Sequence, residues 1–277
     1  MITNMNWKRI LLGRWSWKRP IISLASIYLL LAITACSFAD KLIFQPPPSS
    51  YTTMLEGLET IESGESKPIA FIHLKASPGA PTLLYSHGNA EDIGQNMPIF
   101  KEWHDRGLGV IAYDYPGYGL SLGTPTEAST QHTIFRIWEH ALASGISPSS
   151  IIIVGRSIGS GPSVWLSSFV NPAGLILISP LKSAFTTAFP LPIFPGDRFP
   201  NLRRIREIET PLLVIHGEND QVIPISHGEA IHNSSPSDLK FLAKIPNTGH
   251  NDLFHIAAEE IFTHIDAFVS EVTETRN

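Results

Sequence analysis

The pentapeptide Gly155-Arg156-Ser157-Ile158-Gly159 is the stretch whose residue types point most directly to chemistry. It follows the apolar run 151–154 and opens a helical pattern. A turn this tight between strand and helix presses backbone against the serine, so the flanking positions favour residues without a Cβ. The serine is left exposed at a helix start, where the dipole favours the charge that develops during attack. A serine hydroxyl needs a base, and the base needs an orienting acid. Of the 11 histidines, His73 falls in a strand pattern, and His104, His132 and His140 fall in helical ones. His250 stands apart in Asn247-Thr248-Gly249-His250-Asn251-Asp252, between the last apolar run and the last helical one. Asp220 closes His216-Gly217-Glu218-Asn219-Asp220, directly after the run 212–215, with Glu218 as its nearest rival and Asp252 as a neighbour of the base. Nucleophile, acid and base each follow the carboxyl end of a strand run, so one sheet edge can gather them. The chemistry expected of such a set is acyl transfer, with Ser157 attacking, His250 moving the proton and Asp220 orienting the imidazole.

The tetrahedral oxyanion of such a reaction needs fixed donors. The loop Ser86-His87-Gly88-Asn89-Ala90-Glu91-Asp92 follows another strand run, and its backbone N–H at Asn89 is expected beside that of Ile158. His87 is read as a structural hydrogen-bonder. The turn Asp114-Tyr115-Pro116-Gly117-Tyr118-Gly119 follows a third run, with Asp114 holding the turn and Tyr115 facing the cleft.

The elements that must position these residues alternate regularly. Nearly continuous apolar runs over 69–74, 82–86, 109–113, 151–154, 175–178, 212–215 and 241–245 predict strands covered on both faces, as in a parallel sheet. Helices are predicted over 93–106, 127–144, 158–169, 225–232 and 254–272. In the last of these Phe254, Ala258, Ile261, Ile265, Phe268 and Val272 repeat at helical spacing. Strand–helix alternation over residues 52–277 predicts one α/β domain with a mostly parallel central sheet and helices on both faces. The stretch 180–206 breaks the rhythm: Phe185, Phe189, Leu191, Ile193, Phe194 and Phe199 stand among Pro190, Pro192, Pro195 and Pro200. It reads either as a short lid over the cleft or as packing against the sheet.

The chain has 277 residues, 43% hydrophobic and 16% charged, a balance that excludes a disordered or coiled-coil protein. One cysteine excludes a disulfide framework and a thiolate zinc site. Lys8, Arg9, Arg14, Lys18 and Arg19 precede any acid, so the net charge of −5 leaves −10 on everything after residue 35. An acidic body excludes nucleic acid as the expected partner.

Residues 1–35 read as a signal peptide or membrane anchor. A basic, aromatic start at 7–19 that includes Trp15 and Trp17 is followed by an uncharged apolar stretch. Ile33-Thr34-Ala35-Cys36 resembles a bacterial lipobox, which would make Cys36 the lipidation site. The 18 residues 21–38 also suffice for an uncleaved transmembrane helix. On either reading the early cations keep the N-terminus cytoplasmic and the body extracytoplasmic, on the periplasmic side, tethered to the membrane. Residues 36–51 are the tether: Pro46, Pro47 and Pro48 stiffen it, and Leu42, Ile43 and Phe44 are apolar enough to pack on the domain or the membrane surface.

Taken together, SHGNAEDIG, YDYPGYGLSLGTPTE, GRSIGSGP, HGENDQVIPISHGE and GHND resemble the membrane-associated α/β-hydrolase branch that includes protein depalmitoylases and bacterial serine hydrolases. The resemblance runs from about residue 43 to the final helix and implies an α/β-hydrolase fold. It implies ester or thioester hydrolysis without metal or organic cofactor, with the triad on Ser157, Asp220 and His250. The expected substrate is a small acyl ester or acylated molecule. Eukaryotic depalmitoylases carry several N-terminal cysteines where this chain has one. Amide or peptide hydrolysis on the same fold, cofactor-free haloperoxidase-type activity, and a non-catalytic binding module remain the alternatives.

Overall fold

The computed structural model describes residues 17–63, 67–188 and 196–274. Among them the apolar runs form one eight-stranded sheet in the order β1-β2-β4-β3-β5-β6-β7-β8. Strands β3 (Thr82–Ser86), β4 (Gly109–Tyr113), β5 (Ile151–Arg156), β6 (Gly174–Ile178), β7 (Leu212–Gly217) and β8 (Lys240–Ile245) are parallel neighbours. On one side β2 (Lys67–Leu74) pairs antiparallel with β4, and β1 (Leu58–Ser63) pairs antiparallel with β2. This is the α/β-hydrolase fold. Strand β1 is absent from the expectation because Leu-Glu-Thr-Ile-Glu-Ser carries two isolated apolar residues, Leu58 and Ile61, three apart and on opposite faces, so it shows neither a continuous apolar run nor a period of two.

The alternation of side chains along each strand divides the core in two. Ile151 and Ile153 of β5, Leu175 and Leu177 of β6, and Leu212 and Val214 of β7 point to one face. Ile152 and Val154, Ile176 and Ile178, and Leu213 and Ile215 point to the other. The first face is covered by α3 (Glu127–Ala143) through Ile134, Ile137 and Trp138, by α4 (Ser160–Ser167), and by α7 (Ser226–Ser234). The second is covered by α2 (Met97–Asp105), through Phe100 and Trp103, and by α8 (Leu253–Glu274), through Ile261, Ile265 and Phe268. Helix α3 starts on a capping box: the side chain of Thr126 accepts the N–H of Ser129 at 3.0 Å and the hydroxyl of Ser129 binds the N–H of Thr126 at 2.8 Å.

Ahead of the sheet, α1 (Lys18–Ile43) runs 26 residues without a break through Cys36. Its best 18-residue window has a mean hydropathy of 2.2, and it is the one helix among the described residues long and apolar enough to cross a membrane. Its last turns rest on the domain, with Ala39 and Phe44 buried. Cys36 is half-buried beside Gly196, where an added Cβ would meet its Sγ at 2.6 Å. The segment of uncertain role splits. Helix α5 (Ala184–Ala188) stands at the mouth of the cleft, whereas Phe199 and Asn201, the first residue of α6 (Asn201–Arg204), are buried. Residues 189–195, with Phe189, Leu191, Ile193 and Phe194, lie outside the described residues, as do Lys8, Arg9, Arg14 and Trp15.

Candidate active site

Ser157 is the first residue beyond β5, and its φ is +54°. That left-handed backbone costs a non-glycine residue roughly 1–2 kcal/mol. It persists here because the neighbours leave no alternative. An added Cβ at Gly159 would lie 2.2 Å from the carbonyl oxygen of Ser86 and 2.7 Å from that of His87. One at Gly155 would lie 2.6 Å from the carbonyl oxygen of Gly159. The two glycines let β3 and the turn close on each other and hold the serine on top of the sheet.

His250, in the loop after β8, brings its Nε2 to 2.9 Å from Ser157 Oγ. Its Nδ1 lies 2.7 Å from Asp220 Oδ2. Because a carboxylate only accepts, Nδ1 donates and Nε2 is left to accept the serine proton. Asp220 is itself fixed: Oδ1 accepts the N–H groups of Val222 at 2.9 Å and Ile223 at 2.7 Å. Burial alone would raise its pKa. The nearby His216 imidazole and the hydrogen bonds from His250 and the Ile223 N–H outweigh burial and hold it well below the usual carboxylate range. Asp220 is therefore a permanent anion across neutral pH. The rival Glu218 is exposed, and Asp252 accepts the N–H of Gly249 at 2.7 Å, shaping the loop that carries the base.

His216 was not singled out by its sequence position. It is fully buried in β7, donates Nε2–H to the carbonyl of Ile223 at 2.8 Å and sits 3.4 Å from Asp220 Oδ2. The spacing of four residues between His216 and Asp220 was the available signal, masked by the strand character of the run that holds His216.

Asn89 and Ile158 line the same cavity as Ser157, a space of about 400 Å³ with mainly apolar walls. The side chain of Asn89 is committed elsewhere. Its Nδ2 donates to the carbonyl of Ile43 at 2.7 Å, and its Oδ1 accepts from Tyr118 Oη at 2.7 Å and from the N–H of Gln45 at 3.0 Å. Glu91 accepts the N–H of Gly88 and pairs with Arg156, tying this loop to the residue before the serine. His87 is fully buried with Nδ1 on the carbonyl of Gly88 at 2.7 Å, and burial lowers its pKa, so it is a neutral structural group. Tyr115 departs from expectation: it is buried in the core, not in the cleft, and its hydroxyl donates to the carbonyl of His87 at 2.6 Å.

Asp114 does hold its turn. Oδ1 accepts the N–H of Ile93 at 2.9 Å and Oδ2 accepts the hydroxyl of Tyr51. Burial pushes its carboxyl up to about 7, against the lowering effect of the hydrogen bonds from Tyr51 and Ile93. An unfolded aspartate titrates near pH ~3.9, so between these values the folded chain binds the extra proton. This group's stabilisation is complete below pH ~4 and is lost as pH rises through ~7. The wild type should therefore lose unfolding free energy relative to Asp114→Asn between pH ~4 and ~8, by up to about 4 kcal/mol. Urea titrations of both proteins across that range check it, and parallel pH profiles would contradict it.

No family model matches the chain. Human alpha/beta hydrolase domain-containing protein 17B is 36% identical over 247 residues, which cover 78% of this chain and 85% of the relative. Alpha/beta hydrolase domain-containing protein aho-3 of Caenorhabditis elegans is 34% identical over 274 residues, 86% of this chain and 81% of the relative. Among solved structures, the esterase Pf2001 of Pyrococcus furiosus superposes with a TM-score of 0.67. That superposition covers 82% of this chain and 97% of the esterase at 15% identity, a likeness of fold.

Proposed function

The chain belongs to the alpha/beta hydrolase family, and from that premise we propose that it is a membrane-held serine hydrolase cleaving carboxylic ester or thioester bonds of acyl substrates. The observation that carries the reading is the unbroken chain Ser157 Oγ–His250–Asp220, 2.9 and 2.7 Å, opening into an apolar cavity. Ser157 Oγ attacks the acyl carbon as its proton passes to His250 Nε2. The backbone N–H groups of Asn89 and Ile158 receive the oxyanion, each worth on the order of 100–1000-fold in rate. His250 then gives its proton to the leaving alcohol or thiol, and Ser157 holds the acyl group. Water attacks that acyl-serine, passes a proton to Nε2, and releases the carboxylic acid and the free serine.

The membrane assignment rests on energy. Ile21, Ile22, Leu24, Leu29, Leu30 and Leu31 are all exposed on α1. Burying each such side chain is worth about 1.5–3 kcal/mol, and together they rival the roughly 5–15 kcal/mol net stability of a domain. A bilayer is the natural cover, with Lys18 and Arg19 and the cations before them at the cytoplasmic end. We assign α1 as an uncleaved anchor, because Ala35, on the N-terminal side of Cys36, packs into the cavity wall beside Ser157 and would be lost on cleavage. Cleavage and lipidation at Cys36 is the other reading that the Ile33-Thr34-Ala35-Cys36 motif favours, and intact mass of the mature chain separates the two.

The function is tested with the full-length chain in detergent against p-nitrophenyl esters from C2 to C16 and matched anilides. Ester turnover with an optimum above C4 is expected. A folded chain that turns over anilides but no ester would reassign it as an amidase, and one that turns over neither would remove the enzyme reading.

A further inference from the structure

The cavity beside Ser157 is not built by the α/β domain alone. Ala35, Leu42 and Ile43 of α1 line it together with Ser157, Ile158 and Phe185. The helix end is locked in that place by several independent contacts. Asp40 pairs with Arg198 at 3.0 Å and accepts the N–H of Glu127 at 3.4 Å. Phe44 packs edge-on against Phe199 and Tyr115, with ring centroids 6.0 and 6.5 Å apart. The Asn89 side chain holds the carbonyl of Ile43 and the N–H of Gln45, so the loop proposed to carry the oxyanion and the end of the anchor are one mechanical unit.

We propose that the last turns of α1 are a wall of the acyl-chain site, so that the anchor helix itself sets which chain lengths Ser157 processes. This rests on the hydrolase reading above. The occupant follows from chemistry and position. The lining contributed by Ala35, Leu42, Ile43, Ile158 and Phe185 is apolar and directly adjoins the nucleophile, so it suits the alkyl part of an ester or thioester. At 1.5 Å per residue α1 is about 39 Å long, against roughly 30 Å of bilayer hydrocarbon. A span beginning at Lys18 therefore reaches the far interface near residues 35–38, and the cavity opens where the helix emerges. The long alkyl chains available at that depth are those of membrane-resident acyl groups.

Each methylene accommodated or excluded changes transfer into such a site about fourfold. Full-length Ala35→Trp should lower the ratio of C16 to C4 p-nitrophenyl ester turnover tenfold or more and move the optimum to shorter chains. Leu42→Ala, which enlarges the cavity without threatening the helix, should move it to longer ones. Leu24→Trp, on the exposed face of α1 away from the cavity, should keep the wild-type profile. Fluorophosphonate labelling of each protein runs alongside. If the wild type labels at Ser157 and cleaves esters while Ala35→Trp and Leu42→Ala both keep its chain-length profile, the wall inference is overturned and the hydrolase reading stands. If the wild type itself neither labels nor cleaves, the hydrolase reading fails first and takes the inference with it.

Discussion

Ser157→Ala should lower ester hydrolysis by about 10⁴–10⁶-fold, leaving on the order of 10³–10⁴-fold over the uncatalysed reaction, while the chain stays folded. The size follows from the role: without Oγ there is no acyl-enzyme, and only the oxyanion donors and the cavity remain to act on bound ester. Folding should survive because the hydroxyl makes one hydrogen bond, to His250 at 2.9 Å, and the residue is positioned by Gly155, Gly159 and the β5 backbone. Steady-state hydrolysis of the optimal ester together with a circular dichroism melt checks both halves. A variant that melts as the wild type does yet keeps more than a tenth of its activity would show that Ser157 is not the nucleophile.

Asp220→Asn should lower turnover by about 10⁴-fold at neutral pH. The amide offers an N–H toward His250 Nδ1 in place of an acceptor, so the imidazole carries its proton on Nε2 and cannot take one from Ser157. The loss is one of tautomer and charge, since the Asn carbonyl can still accept the N–H groups of Val222 and Ile223. The same substitution carries a stability signature. The carboxylate's pKa is depressed in the fold, so its stabilisation is present above pH ~4 and is lost as pH falls toward the folded value. The wild type should thus be the more stable protein at pH 7, with the gap closing in acid. Activity within tenfold of wild type would move the acid's role elsewhere, with Glu218 too exposed to inherit it.

The meeting of Ser157, Asp220 and His250 was legible because each lies within five residues past a strand that the pattern of β-branched residues identifies. Parallel strands bring their carboxyl ends to one edge, so Ser157, Asp220 and His250 needed no long-range information to be placed together. The glycines of 155–159 were legible for a similar reason, since only a missing Cβ allows Ser86 and His87 to approach. What the sequence did not reveal depends on contacts between distant segments. Strand β1 forms on the exposed edge of β2 and lacks a continuous apolar run. Tyr115 looked free to face the cleft, and only the fold shows its hydroxyl on the carbonyl of His87. Phe199, 42 residues past the nucleophile, fills the space that Gly161 leaves open. The greatest surprise is α1, whose end could be read as sticky from Leu42, Ile43 and Phe44 but whose place against Ser157 depends on Asn89, Arg198 and Phe199 at once.

The central claim, an activated Ser157 in this fold, is tested most directly by treating the full-length wild type and Ser157→Ala with a fluorophosphonate and mapping the adduct by peptide mass. One stoichiometric adduct is expected on the peptide containing Ser157 in the wild type and none in the variant. A folded wild type that stays unmodified, or an adduct on another serine that persists in Ser157→Ala, would contradict it.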